Sequence, residues 1–195
     1  PICSSSFPIL TNCRFTGNSA FSGGGMYVRG GSPTLTNCVF SGNSASYGGG
    51  GMYNAYFSSP TLTDCLFTGN SVTDTHPSRG GGGMRNSSSS PTLTNCVFSG
   101  NSAKRDGGGM INGGGSPTLT NCVFTSNSAS NGGGIYIKNA SPTLANCILW
   151  KNLTSSAEGH GISGEKWTTR TLEEAVALQY PGDPNAKDAV YATIN

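Results

Sequence analysis

Apolar and polar residues alternate in a block that recurs six times along the chain. Each block runs from a proline to an asparagine ten residues later, and its leucine and cysteine never vary. The second residue after the cysteine is Phe in five blocks and Leu149 in the sixth. A period of two predicts short strands with Leu, Cys and Phe facing a core and their neighbours facing solvent. The cysteines that mark the blocks are Cys13, Cys38, Cys65, Cys96, Cys122 and Cys147.

A glycine-rich step follows each of the first five blocks. It ends in an apolar residue that we expect to point inward, and the next residue (Tyr27, Tyr53, Arg85, Ile111 or Tyr136) should then point outward. The stretch between the block asparagine and this apolar residue varies from 8 to 14 residues, whereas the rest of the repeat is nearly constant. One corner, here called the insertion corner, therefore tolerates insertion. The inward residues are Met26, Met52, Met84, Met110 and Ile135.

Three short strands per repeat, separated by Gly and Asn corners, describe one coil of a parallel β-helix. The glycine and proline density excludes a helical repeat. We therefore predict an all-β parallel β-helix (solenoid) of about six coils over residues 1–152. The corner asparagines are interpreted as turn residues, since Asn tolerates left-handed backbone and stacked amides can form ladders.

Residues 153–195 lie outside the repeat and are predicted to be a C-terminal cap or assembly segment. The sequence TLEEAVALQY at 171–180 predicts one short helix that ends before Pro181. The segment has a net charge of −3, against +5 for residues 1–152. A polar segment of this kind can cover the open edge of the last coil.

Composition limits the partners. Gly, Ser, Thr and Asn supply 95 of the 195 residues, a bias that would indicate disorder if it had no period. The net charge of +2, with 11 scattered Lys and Arg, argues against a nucleic-acid partner. No apolar run approaches the roughly 20 residues of a membrane-spanning helix.

The first five blocks end in F-x-x-N segments, which alternate with SxxGGGMY-like steps. These segments are FTGN, FSGN, FTGN, FSGN and FTSN, at Phe15, Phe40, Phe67, Phe98 and Phe124. This pattern resembles the polymorphic outer-membrane protein repeats and other right-handed parallel β-helix repeats of large secreted bacterial proteins. The resemblance covers residue 1 to about residue 152. It implies a right-handed β-helix with an extracellular or cell-surface location and a structural or adhesive, non-enzymatic role.

Threonines flank the leucine on both sides in blocks 2 to 5, and on one side in the first and last blocks, and should form two outward rows. This candidate flat face, the Thr face, has two interpretations. Outward threonine suits a solvent-facing strand, and regular T-x-T pairs also resemble the ice-binding face of β-solenoid antifreeze proteins. Ice binding is therefore an alternative function. The complete pairs are Thr34 and Thr36, Thr61 and Thr63, Thr92 and Thr94, and Thr118 and Thr120.

Charged residues gather at the insertion corner of two neighbouring coils, which makes this corner a candidate ligand site. Binding of glycans, or a carbohydrate-active β-helix, is the second alternative function. A glycosidase or lyase needs carboxylates fixed on strands, whereas these charges lie on loops, so we expect no enzymatic activity and no catalytic residues. The residues are Asp74, His76, Arg79, Lys104, Arg105 and Asp106.

The seven cysteines include no C-x-x-C pair, and only two histidines accompany them, so we expect no metal site and no cofactor. A column of free, buried thiols is expected, with disulfides between adjacent coils as the alternative. Sequons make Asn86 and Asn139 candidate glycosylation sites.

Self-association is the expected partnership, alongside glycans or a host or cell surface. The sequence enters part-way through a coil, which predicts a bare first edge, and the two segments carry opposite net charge. Stacking that continues from one copy to the next would give filaments or a surface layer.

Overall fold

A computed structural model describes residues 1–76, 79–155 and 161–164, and the backbone of Val190–Ile194. All regular structure in these residues is β-strand, and the strands, numbered along the chain, form three sheets. The predicted helix at 171–180 lies outside the described residues.

The three sheets run side by side along the stack of coils. Sheet A follows the glycine steps and consists of β1 (Ile2–Ser4), β5 (Met26–Arg29), β9 (Met52–Ala55), β13 (Met84–Ser87), β17 (Met110–Gly113), β21 (Ile135–Lys138) and β24 (Ile162–Gly164). Sheet C follows the block asparagines and consists of β4 (Ser19–Ser22), β8 (Ser44–Gly48), β12 (Ser71–Val72), β16 (Ser102–Ala103), β20 (Ser128–Ala129) and β23 (Leu153–Thr154).

Sheet B is formed by the blocks themselves, with two strand segments per coil. The leucine segments are β2 (Ile9–Thr11), β6 (Thr34–Thr36), β10 (Thr61–Thr63), β14 (Thr92–Thr94) and β18 (Thr118–Thr120). The phenylalanine segments are β3 (Arg14–Thr16), β7 (Val39–Ser41), β11 (Leu66–Thr68), β15 (Val97–Ser99) and β19 (Val123–Thr125). In the last coil both segments merge into β22 (Thr143–Trp150).

Equivalent residues of successive coils pair in parallel register. Leu62, for example, lies between Leu35 and Leu93, and Phe67 lies between Phe40 and Phe98. The all-β parallel β-helix of about six coils and three sheets, predicted from the repeat, is therefore confirmed. The corner between the two segments of sheet B uses left-handed residues with φ of 51° to 56°, namely Asn12, Asn37, Asp64, Asn95, Asn121 and Asn146.

The core is a set of columns along the stack axis. The inward Leu, Cys, Phe and Met or Ile residues of coils 2 to 5 are at most 1% exposed, as the alternation predicted. The rings of Phe40, Phe67 and Phe98 stack with centroids 4.6 Å apart and nearly parallel planes. Burial of one such side chain stabilises by roughly 1.5–3 kcal/mol, so the coils are stable only collectively.

The three glycines of each step have different roles, as those of the second coil show. Gly49 has a φ of +65°, which favours glycine. A Cβ on Gly50 would lie 2.5 Å from the carbonyl oxygens of Ser71 and Gly82, and one on Gly51 would lie 2.9 Å from the ring of Phe67. Close backbone stacking therefore requires the second and third glycines, and the turn requires the first.

The asparagines that end the blocks form a buried ladder. Asn70 accepts hydrogen bonds at Oδ1 from the backbone N–H and the side-chain Nδ2 of Asn43, at 3.0 and 2.9 Å. Its Nδ2 donates to the Phe40 carbonyl and to Oδ1 of Asn101, both at 2.9 Å. The interpretation of these asparagines as structural corner residues is thus supported by their hydrogen bonds.

The outward positions of sheet A are more buried than the alternation predicted. Tyr53 and Arg85 are each 8% exposed and Ile111 is 2% exposed. The Tyr47 ring lies over Arg85, 5.1 Å from the guanidinium carbon, and a Cβ on Gly81 would lie 2.9 Å from Ile111 Cγ2. The backbone of the insertion corner therefore covers part of this face.

The parallel stack continues past the boundary predicted at Asn152, because β23 pairs with β20 and β24 pairs with β21. Beyond it, β25 (Val190–Ile194) pairs antiparallel with β22. A strand of the C-terminal segment thus occupies the outer edge of sheet B in the last coil.

Candidate functional site

The Thr face is formed by the outward residues of β6, β10, β14 and β18. Thr61 pairs in register with Thr34 and Thr92, and Thr63 pairs with Thr36 and Thr94. The first threonine of each pair is exposed and the second is half-buried. Within the described part of the chain, none of the eight hydroxyls makes a hydrogen bond to protein. The face therefore presents a regular array of free hydroxyls, spaced ~4.8 Å between coils and ~7 Å along a strand.

The neighbouring outward rows carry no charge in coils 2 to 5. They consist of half-buried aliphatic residues (Val39, Leu66, Val97 and Val123) and of hydroxyl residues (Ser41, Thr68, Ser99 and Thr125). Asp64, at the corner between the two segments, accepts a hydrogen bond from Nδ2 of Asn95 at 3.1 Å. This side of the molecule is thus almost neutral.

The structure brings the insertion-corner charges together as two separate pairs. Arg79 and Asp74 form a salt bridge of 2.8 Å, and Asp74 also accepts the His76 backbone N–H at 2.8 Å. These two donors hold the pKa of the Asp74 carboxyl below its ordinary value, the His76 N–H having the larger effect. Asp74 is therefore a structural carboxylate of the loop.

The second pair belongs to the next coil. Asp106 is 2% exposed, accepts a hydrogen bond from Asn131 Nδ2 at 2.8 Å, and lies 3.9 Å from Nε of Arg105. A backbone bridge places Gly80 beside Asp106, so Arg79 and Arg105 occupy equivalent positions in adjacent coils. Lys104 is exposed beside them. The corner thus presents cations outward, with one carboxylate turned in.

Aromatic rings extend this corner in a way that the sequence did not predict. The guanidinium of Arg79 lies 4.6 Å from the centre of the Tyr47 ring, and Tyr47 packs against Phe21 and Tyr53 at 5.3 and 6.2 Å. Burial and the nearby Tyr53 raise the pKa of Tyr27, which packs on Tyr53. Tyr47 lies in the stretch of variable length, where no repeat position aligns it with a partner.

The family of the chain can be assigned from its repeated coils. These coils are parallel, pair in register and each contain a glycine step. The family described as right handed beta helix region matches residues 2–173. The chain is a member of the right-handed β-helix family. No curated protein and no solved structure matches it.

Within this right-handed β-helix the seven cysteines are free thiols, and those of the expected column are buried from Cys38 to Cys147, whereas Cys13 in the first coil is half-buried. Cys96 lies 3.4 Å from the Thr94 carbonyl and 3.7 Å from the Leu62 carbonyl, both acceptors for a thiol proton. Burial raises the pKa of the Cys38 thiol. No group of three or more His, Cys, Asp or Glu in the described residues could hold a metal ion. The described part of the β-helix also contains no helix long and apolar enough to cross a membrane.

Sequence reasoning missed a second amide ladder inside sheet A of the β-helix. Asn54 donates to Asn86 at 2.9 Å, and Asn86 donates to Asn112 at 2.7 Å. Asn86 is 1% exposed, so its proposed role as a glycosylation site is wrong, whereas Asn139 is exposed. The signal was present as Asn two residues after Met in three successive coils.

Proposed function

We propose that this β-helix is a non-enzymatic structural and adhesive protein of the extracellular space or cell surface. The register of the Thr face carries the proposal. Free hydroxyls repeat on a laddered, close-packed stack, so one weak contact can recur in every coil, and several weak contacts held in fixed geometry bind strongly.

Two further features support an adhesive role over a catalytic one. The charges at the insertion corner lie on loops and pair mainly with each other, and Asp106 is buried. The F-x-x-N blocks resemble the repeats of surface proteins of the polymorphic outer-membrane type, which supports the extracellular location.

Retention under flow tests the proposal. Microspheres coated with the full chain would be passed over cellulose, chitin and whole-cell surfaces, beside microspheres coated with Thr61→Lys/Thr118→Lys. We expect the parent to be retained on at least one surface and the variant to be lost. A matched control, Ser46→Lys on the exposed side of sheet C, should behave as the parent. Equal loss of all three proteins, or release of soluble sugar products, would contradict the proposal.

End-to-end self-assembly is one form that a structural role can take. Continuation of sheet B at its C-terminal edge requires β25 to leave β22, because β25 occupies that edge. Sedimentation at rising concentration tests this mode, and a chain that stays monomeric would exclude it.

Ice binding is the second candidate function, and the same array of hydroxyls favours it. Thr34, Thr61, Thr92 and Thr118 form one exposed row without hydrogen bonds to described residues. Thermal hysteresis of the parent, abolished by Thr92→Tyr/Thr118→Tyr, would establish it. A parent without hysteresis ends the idea.

A further inference from the structure

We propose that one corner of the β-helix docks on an anionic lipid bilayer. This inference rests on the proposed cell-surface role and identifies the bilayer as the surface that is bound. The corner is the turn between sheet A and sheet B in the first coils. Four large apolar side chains protrude from it: Phe7, Ile9, Tyr56 and Phe57, exposed by 73, 78, 58 and 84%. We call these four residues the apolar corner.

The exposure of Ile9 and Phe57 belongs to their positions in the coil. Ile9 pairs with Thr34, and the same outer row is exposed in the interior coils at Thr61 and Thr92. Phe57 lies in the turn between the second and third coils, so it is not at an end of the stack. Monomeric proteins rarely expose several large apolar side chains in one patch unless the patch binds something.

The Tyr56–Phe57 turn is built to hold its rings outward. It has one more residue before its proline than the turn that starts at Gly30. Both aromatic residues have left-handed φ, +58° and +60°. The register aligns Tyr56 with the left-handed Gly30 and Ser88 of the adjacent coils, whereas Phe57 is an additional left-handed residue. Bulky residues in this conformation are strained, and such strain persists where the surrounding structure over-determines it, often at ligand contacts.

Ser58 fixes this strained turn. It is fully buried, and its hydroxyl accepts the Gly30 N–H at 3.0 Å and lies 2.5 Å from the Ala55 carbonyl. The Phe57 N–H donates to the Ser88 carbonyl at 3.0 Å. Anchored in this way, the backbone of the turn cannot rearrange without breaking buried hydrogen bonds.

The two halves of the apolar corner lie two coils apart, about 10 Å along the axis. The turn between them is Gly30-Gly31-Ser32, so no large side chain separates the two halves. One flat surface can therefore contact all four residues.

Charge favours an anionic surface. Residues 1–63 contain Arg14 and Arg29 and no Asp or Glu, and the first carboxylate, Asp64, follows the far end of β10 and accepts a hydrogen bond from Asn95. The guanidinium of Arg29 lies 4.5 Å from the centre of the Tyr56 ring, beside the apolar corner. Aromatic side chains with adjacent arginines are typical of protein surfaces that bind the interface of a bilayer with anionic lipids.

Vesicle flotation with the full chain tests the proposal. We expect the chain to float with vesicles of phosphatidylcholine and phosphatidylserine, more weakly at high salt, and far less with phosphatidylcholine alone. Tyr56→Ser/Phe57→Ser should reduce the partition coefficient about tenfold or more, because the inserted rings are lost. Serine occupies the equivalent turn at Ser88, so the variant is expected to fold, and Phe57→Ser alone provides a milder version.

Arg29→Gln should remove much of the preference for phosphatidylserine and leave binding to phosphatidylcholine unchanged. The matched control is Phe21→Ser, which removes an aromatic ring that is 71% exposed on sheet C. Vesicle binding that is absent in the parent, that survives the Tyr56/Phe57 change, or that falls equally in the control would overturn the proposal. Self-association that depends on Phe57 without vesicle binding would also overturn it, in favour of a second copy as the partner. Retention on cellulose or chitin would survive these outcomes, so the adhesive function and the lipid site fail independently.

Discussion

Single residues in this β-helix are constrained mainly by the coil next to them. Gly51 must be glycine because of Phe67 and Gly83, and the side chain of Asn70 bonds to Asn43 and Asn101. A substitution that is mild within its own coil can therefore be severe at the interface between coils.

Gly51→Ala should lower the free energy of unfolding by about 2–3 kcal/mol, because the new Cβ would overlap backbone and a core ring. Gly42 offers a matched control. A Cβ there meets nothing within 4 Å, although its φ is +60°. Gly42→Ala should thus lower the free energy of unfolding by only about 1 kcal/mol. Urea unfolding of both variants measures the difference. Equal effects would show that close stacking is not what requires the third glycine.

Asn70→Ala should destabilise by about 3 kcal/mol or more, since it removes hydrogen-bond partners of the Asn43 backbone N–H and the Phe40 carbonyl in the core, and one hydrogen bond each from the side chains of Asn43 and Asn101. Asn95→Ala, in the exposed left-handed column, should lower the free energy of unfolding by about 1 kcal/mol. Urea unfolding compares the two. If Asn70→Ala lowered the free energy of unfolding by less than Asn95→Ala, the buried ladder would add little to stability.

The Asp74 carboxyl should respond to acid. Its folded pKa lies below the ordinary 3.8, so its stabilising contacts are fully present above that pH and are lost as the pH falls through the folded pKa. Hydrogen exchange at the His76 amide should accelerate in that lower range relative to an unstructured reference peptide. Asp74→Asn should show no such transition, and a transition above pH 3.8 in the parent would contradict the assignment.

At the scale of strands, most elements have only three or four residues, and each gains its partners from the same position one repeat away. Pro91 and Pro117 mark equivalent points, with Thr92 and Thr118 in register after them. A whole coil is therefore an exchangeable unit, whereas part of a coil is not.

Removal of residues 92–117 should leave a folded, shorter β-helix, because Pro91 is then followed by Thr118 as it was by Thr92. The urea m-value should fall by about one sixth, in proportion to the surface buried. Removal of residues 92–104, half a coil, is the control and should abolish cooperative unfolding. Cooperative folding of both, or of neither, would exclude the coil as the unit.

For the whole molecule, the repeat predicted the stack because Leu, Cys, Phe and Met recur with constant spacing inside the block. The same logic failed at Arg85 and Ile111, which the alternation placed in solvent. Their cover comes from the insertion corner, whose length varies from coil to coil and which no periodic rule describes. The buried ladder of Asn54, Asn86 and Asn112 spans only three coils, too few to stand out as a repeat.

The candidate sites also differ in whether they follow the repeat. The rows of the Thr face could be predicted because they repeat, and the structure places them in register. The apolar corner depends on one inserted residue and on two left-handed aromatic residues, which appear only when the turn is seen in three dimensions.

The hydrogen bonds of the sheets, and of the ladder formed by the asparagines that end the blocks, run along the stack axis. The response of the rod to force therefore depends on the direction of the load. A load that draws the two chain ends apart reaches the outermost coil first and peels it from its neighbour before the next coil is strained. Each release would free about 25 residues, or roughly 80–90 Å of extended chain. Under tension the rod should therefore lengthen in steps of one coil, each at modest force, and dissipate energy instead of breaking at once.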